Sequence, residues 1–171
     1  TSLSNLNYLQ YLVITPENPE TPMHPAQIGI DLGGTKIEAI VINASGATIC
    51  QHRTKTPSKS YTEVLTTLQA LIKSLAEEAD LPESTPVGIG TPGAISLKTG
   101  LMKNCNNTCL NGHNLRSDLQ TALKRPVRIA NDADCFTLSE AVDGAGSNAA
   151  LVFGMILGTG VGGGLTLNRQ L

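Results

Sequence analysis

Short apolar runs alternate with helix-periodic segments from Gln27 to Leu167, and this alternation leaves few folds open. Gln27 to Leu32, Lys36 to Asn43 and Thr48 to Thr54 have the pattern of strands, with Ala44-Ser45-Gly46 turning the second into the third. Ser60 to Ala79 follows as a helix. Tyr61, Val64, Leu65, Leu68, Leu71, Ile72, Leu75, Ala76 and Ala79 recur on one stripe, and Ser60 with Glu63 has the spacing of a capping box. Val87 to Gly90 and Val127 to Ala130 are expected as short strands, Leu115 to Lys124 and Asp132 to Val142 as helices. A loop is expected from Lys98 to Gly112, and Val152 to Leu157 with Gly162 to Leu167 make a closing strand pair. Strands alternating with helices imply an α/β fold, a sheet covered on both faces.

Composition agrees with that outline and removes several alternatives. The 171 residues are 40% hydrophobic and 15% charged, with 17 glycines and 3% aromatics, which suits Val/Ile strands joined by tight turns. A formal net charge of −2 argues against a nucleic-acid partner, because phosphate binding needs a Lys/Arg surplus on one face. No apolar run reaches the length of a membrane span, and no signal-peptide pattern opens the chain. Cys50, Cys105, Cys109 and Cys135 form no Cys-x-x-Cys pair, as expected of reduced thiols in a cytosolic protein.

Residues 1–26 stand apart. Pro16, Pro19, Pro22 and Pro25 interrupt any helix or central strand, so a loose extension is expected, with Met23 as a natural start just before the first strand. Residues 27–146 are expected as one domain and 147–171 as the beginning of a second.

Several segments carry chemistry. Asp31-Leu32-Gly33-Gly34-Thr35-Lys36 joins two apolar runs. Its glycines allow backbone N–H groups to approach a phosphate, and Asp31 offers a hard oxygen to Mg²⁺ or to its waters. The same residue types also serve an ordinary hairpin turn. Gly158, Gly160 and Gly163 meet the G-x-G-x-x-G spacing, but Leu165-Thr-Leu reads as strand where a dinucleotide-binding motif needs a helix. Both Gly-rich turns lie between an apolar strand and a second strand ending in Asn, an echo that either a duplicated phosphate hairpin or two unrelated turns would produce. Asn131-Asp132 sits where a strand meets a helix. Helix capping explains both residues, and so does a carboxylate base at the carboxyl edge of the sheet. Gly90-Thr91-Pro92-Gly93 and Asn104-Cys105-Asn106-Asn107-Thr108 supply amides and hydroxyls suited to a sugar, or simply a turn and a polar loop.

Together these segments resemble the ROK (repressor, open reading frame, kinase) family of sugar kinases and repressors, from about Ile28 to Asn168. Asp31 to Lys36 matches the first phosphate motif of that family, Gly88 to Gly93 its sugar-side loop, Asn131-Asp132-Ala133 its catalytic aspartate segment and Gly158-Thr159-Gly160 its second phosphate motif. The resemblance implies an actin-like, ribonuclease-H-like domain with a mixed sheet and helices on both faces, followed by the first hairpin of a truncated second domain. It implies ATP-dependent phosphorylation of a hexose in the cytoplasm. Asp132 would be the catalytic base, and Gly33, Gly34, Thr35, Lys36, Gly158, Thr159 and Gly160 would receive the ATP phosphates. Asp31 would hold Mg²⁺, and Thr91, Gly93, Asn104, Asn131 and Asp132 would line the sugar site. Lys103 to Gly112 looks most like the fructokinase and mannokinase branch, which makes fructose or mannose the first expectation. Ala130 to Phe136 and Ile156 to Gly164 are also similar to the N-acetylglucosamine kinase branch, so that sugar or glucose is the alternative. A sugar-sensing repressor of the same family would need a helix-turn-helix, for which the Pro-rich first residues are too irregular. The family's Glu-x-Gly-His segment and zinc site do not occur in this sequence, so zinc is expected only in a further carboxyl-terminal half, and this half alone is expected to be inactive. Exposed edges of the last hairpin imply self-association into a homo-oligomer.

Overall fold

The structure, a computed structural model, describes residues 26–157 and 161–171. A five-stranded mixed sheet forms its centre, in the spatial order Thr48–Lys55, Lys36–Asn43, Ala26–Leu32, Val87–Thr91 and Val127–Asn131. The antiparallel part comprises β1 (Ala26–Leu32), β2 (Lys36–Asn43) and β3 (Thr48–Lys55). On the other side of β1 lie two parallel strands, β4 (Val87–Thr91) and β7 (Val127–Asn131). The described residues are thus α/β, as the pattern predicts, with the mixed sheet that the family resemblance implies.

Helix α1 (Tyr61–Glu78) begins where the Ser60 side chain accepts a hydrogen bond from the Glu63 N–H at 3.4 Å. Its stripe of Val64, Leu68, Leu71, Ile72, Leu75 and Ala76 is buried. These side chains share a core with Leu115 and Leu119 of α2 (Leu115–Leu123) and with Ile28, Ile30, Ile37, Ala39 and Val41 of the sheet. Helix α3 (Asp132–Val142) covers the opposite face, where Cys135 packs with Ile40 and Ile42. Alternation along β2 therefore sends Ile37, Ala39 and Val41 to one layer and Ile40 and Ile42 to the other.

The expected loop from Lys98 to Gly112 contains more order than the sequence suggests. Ala94–Ile95 (β5) pairs with Met102–Lys103 (β6), and Thr108–Leu110 forms a 3₁₀ turn. Strands of this length hold too few residues to show a period, which is why the pattern hid them.

The last hairpin, β8 (Leu151–Leu157) with β9 (Val161–Leu167), lies on α3 through its glycines. A Cβ at Gly164 would fall 2.5 Å from the Ala133 carbonyl oxygen, and one at Gly154 would collide with the Thr137 hydroxyl. Gly164→Ala is therefore expected to lower stability by about 1–3 kcal/mol, the usual cost of overpacking against backbone, as measured by chemical denaturation. The other face of the hairpin is apolar and open, with Phe153 67%, Leu157 70% and Leu165 56% exposed. No helix of the described residues is long and apolar enough to cross a membrane.

Candidate active site

The carboxyl ends of β4 and β7 lie side by side, with Thr91 opposite Asn131. In open α/β sheets the chain diverges beyond such ends and leaves a crevice. Here the crevice is a cavity of about 420 Å³, within the range of small-molecule sites. Pro92, Gly93 and Ala94 with Asn104 and Asn106 make one wall, Asn131 and Asp132 the floor, and Ile156, Val161 and Gly162 of the hairpin the far wall. A larger groove of about 670 Å³ lies between β3 and α1, bordered by His52, Thr54 and Leu71. It is mostly apolar and holds none of the predicted site residues, so chemistry favours the smaller cavity.

Asp132 is the carboxylate on that floor. Burial raises its pKa above the ordinary aspartate value, against the opposing effect of the backbone N–H of Ala133, which donates to Oδ1 at 2.9 Å. Desolvation thus makes this carboxylate a better proton acceptor than a surface aspartate. Asp134, one position beyond Ala133, is likewise raised, by burial first and then by the charge of Asp132.

Capping and site geometry come from the same pair of residues. Asn131 accepts the Ala133 N–H on Oδ1 at 2.9 Å, as a helix N-cap does, and its Nδ2 donates to the Gly93 carbonyl at 2.8 Å. Asn131 lines the cavity as expected, yet both ends of its amide hold the loop Pro92–Ala94 against α3. Gly93 adopts φ 114°, and a Cβ there would stand 2.6 Å from Cys105 Sγ and 2.9 Å from the Lys103 carbonyl oxygen. Asn104 borders the cavity in the left-handed region, with φ 55°.

Thr91 corrects the sequence-based expectation. It is 1% exposed, its hydroxyl donates to the Leu32 carbonyl at 3.2 Å, and it is absent from the cavity lining. Two-residue alternation from Val87 and Ile89, both in the core beneath α1, carries Thr91 to the same side. It braces β1 to β4.

The turn after β1 divides its residues in the same way. The Gly33 N–H donates to the Lys36 carbonyl at 3.0 Å, and a Cβ on Gly33 would lie 2.9 Å from that oxygen, so the turn itself demands glycine here. Gly34 is exposed, and a Cβ there would meet nothing within 4 Å. Among the described residues no contact requires glycine at this position. Thr35 is exposed, and its carbonyl accepts from Thr56 N–H at 3.0 Å. The Lys36 ammonium is engaged by Glu38 at 2.9 Å, and Arg53 reaches the other oxygen of Glu38 at 3.3 Å. Lys36 is thus already paired at the turn after β1. Asp31 is half-buried at the end of β1 and contributes to the field on Cys135 of α3. Among the described residues no group of three or more His, Cys, Asp or Glu side chains is placed to hold a metal. Gly158, Thr159 and Gly160 lie outside the described residues.

Asn106 is the cavity residue that site prediction passed over, although its signal was present. It belongs to the polar run Asn104 to Thr108, whose amides and hydroxyls suit a sugar. Ile156, Val161 and Gly162 gave no such signal, because their place depends on how the hairpin packs on α3.

Comparison with known proteins agrees with this architecture. The glucomannokinase of Arthrobacter sp. strain KM, which uses inorganic polyphosphate or ATP, superposes with a TM-score of 0.74 at 30% identity, over 86% of this chain and 60% of that one. A ROK family glucokinase from Streptomyces griseus, solved with glucose and AMPPNP, matches at TM-score 0.71 and 28% identity, over 85% of this chain and 46% of that one. The fold is that of the actin-like sugar kinases. The ROK family model matches residues 27–171, and the chain belongs to the ROK family. The N-acetyl-D-glucosamine kinase of Pectobacterium carotovorum subsp. carotovorum is 44% identical over 142 residues, or 83% of this chain and 46% of the relative. The chain thus spans about half the length of the curated relatives it matches.

Proposed function

We propose that this chain provides the sugar-side wall of an ATP-dependent hexose kinase, with Asp132 as the base that accepts the proton of the attacking sugar hydroxyl. The observation that carries this reading is the desolvated Asp132 carboxylate on the floor of a cavity walled by the amides of Asn104 and Asn106. Amides supply both donors and acceptors, which is what the hydroxyls of a sugar need. Asn131 holds α3 and the Gly93 loop together, so Asp132 is presented at a fixed height. ATP with Mg²⁺ supplies the phosphoryl group and neutralises its charge. Gly33, Gly34 and Thr35 with Gly158, Thr159 and Gly160 would receive the phosphates, Lys36 would add charge beside them, and Asp31 would face the metal. The reaction belongs in the cytoplasm, where ATP is available and four free thiols stay reduced.

N-acetylglucosamine is the first substrate under this reading, because the Pectobacterium relative carries that name at 44% identity. This reverses the order expected from sequence, which placed fructose or mannose first. The latter pair remains the second reading, supported by Lys103 to Gly112. A coupled assay of ADP release with each hexose tests both. It is run on the chain joined to the carboxyl-terminal half of the Pectobacterium relative, and on the chain alone. The joined protein is expected to turn over N-acetylglucosamine with the highest kcat/KM, and the chain alone to show no sugar-dependent release. A preference of tenfold or more for fructose or mannose would restore the other order, and no activity with any hexose would refute the kinase.

Asp132 also sets the acid limb of the pH profile. The base must be ionised, so kcat/KM is expected to fall as pH drops through its raised pKa, with a midpoint above the ordinary aspartate value of about 3.9. A midpoint at or below that value would remove the desolvated base from the mechanism.

The open apolar face of β8 and β9 makes the chain self-associate. Light scattering is expected to give a mass above that of one 17.9 kDa chain, and replacing Phe153 and Leu165 with serine should bring it down to the monomer. A wild-type monomer would dismiss this part.

A further inference from the structure

The segment from Asn104 to Asn111 holds four asparagines that do two different jobs. Asn104 and Asn106 line the cavity. Asn107 is buried and ties the segment to the approach to α1, its Nδ2 donating to the Pro57 carbonyl at 2.8 Å. Asn111 is exposed outside the cavity, and its Oδ1 accepts the backbone N–H of Cys105 at 3.0 Å. That N–H belongs to the one residue between Asn104 and Asn106.

Cys105 is therefore the pivot of the wall. Its side chain is buried at 5% exposure and lies where a Cβ on Gly93 would be, 2.6 Å from the sulfur. Gly93 in turn accepts from Asn131, the N-cap beside Asp132. Asn111, Cys105, Gly93 and Asn131 form a continuous mechanical line from the surface to the base. Asn104 occupies the left-handed region, which asparagine tolerates better than most residues but does not choose without support. The Asn111 carbonyl supplies that support at the next peptide.

We propose that Asn106 is a specificity-determining contact to the sugar, and that Asn111 is the positioning residue that keeps Asn104 and Asn106 aimed into the cavity. The proposal rests on the sugar-binding reading of the cavity and adds to it which amides discriminate and which one holds them. Among the described residues the Asn111 side chain bonds this loop amide alone, and an exposed asparagine without that bond would be replaceable without consequence.

The test uses the 171-residue chain and two readouts, one of which needs no sugar. Hydrogen exchange at the Cys105 amide reports the Asn111 bond directly, and NMR titration with N-acetylglucosamine, glucose, mannose and fructose reports affinity. Asn111→Ala is expected to speed Cys105 exchange at least tenfold and to weaken every sugar that binds by about five- to tenfold, the worth of one hydrogen bond. Asn111→Asp keeps the acceptor and should restore both. Asn106→Ala should leave Cys105 exchange as in the wild type and change the affinity ratio between sugars by about fivefold. Unchanged exchange in Asn111→Ala, or equal losses in Asn111→Ala and Asn111→Asp, would overturn the positioning role. An even loss across sugars in Asn106→Ala, or none, would overturn the specificity role. If the wild-type chain binds no hexose while Cys105 exchange responds as described, the sugar reading fails and the specificity assignment falls with it. The Asn111 bond would then be structural only.

Discussion

Asp132→Asn, in the chain joined to the carboxyl-terminal half of a relative, is expected to reduce kcat by about a hundredfold to ten-thousandfold, the usual worth of a general base. Sugar affinity should change little, because asparagine keeps an oxygen for the Ala133 N–H at 2.9 Å and keeps the volume of the side chain. Stability should not fall. A carboxyl group whose pKa is raised by burial binds its proton more tightly in the folded chain than in the unfolded one. Its contribution therefore becomes unfavourable as pH rises from the unfolded value through the folded one, and at neutral pH the ionised group is a cost that asparagine removes. A melting temperature equal to or above that of the wild type, with activity lost, is the expected pair. Near-normal kcat would make Asp132 a capping residue and nothing more.

Gly93→Ala is expected to act through structure. The residue has φ 114°, where a side chain is strained whatever the space, and the space is taken by Cys105 Sγ, Cys105 Cα and the Lys103 carbonyl oxygen. Overpacking against backbone and the left-handed penalty together come to about 2–4 kcal/mol. For a chain of this size each kcal/mol is about 2–4 °C of Tm, so a drop of roughly 5–15 °C is expected by calorimetry. The Asn131 bond to Gly93 should loosen with it, and sugar affinity should fall as well. Gly34→Ala is the contrasting case. Its Cβ meets nothing within 4 Å, so stability should hold to about 0.5 kcal/mol. In the joined protein KM for ATP should rise if, as proposed, phosphate approaches the Gly33–Thr35 turn, because the added methyl group would stand in its way. A loss of stability in Gly34→Ala equal to that of Gly93→Ala would mean that both glycines serve the fold alone.

These two glycines also show how far sequence carries. Both sit in Gly-rich turns at strand ends, and nothing in the letters separates them, because the difference lies in what surrounds each position in space. Thr91 and Asn131 are similar. The family resemblance places each at the sugar, and each spends its polar group on the fold, the threonine on Leu32 and the asparagine on Gly93 and Ala133. Alternation from Val87 and Ile89 did contain the direction of Thr91. The fold itself was more legible. The stripe of α1 and the start of α3 at Asp132 follow from local rules that tertiary contacts here reinforce. The β5–β6 pair and the far wall of the cavity were hidden, since one is too short to have a period and the other depends on glycines meeting α3.

The central claim is that the cavity above Asp132 binds a hexose, and NMR mapping on the isotope-labelled chain tests it most directly. Titration with N-acetylglucosamine, then with the other hexoses, is expected to shift the amides of Gly93, Asn104, Asn106, Asn131 and Asp132 together in one saturable process. Shifts confined to the groove of His52, Thr54 and Leu71, or no shifts with any hexose, would contradict it.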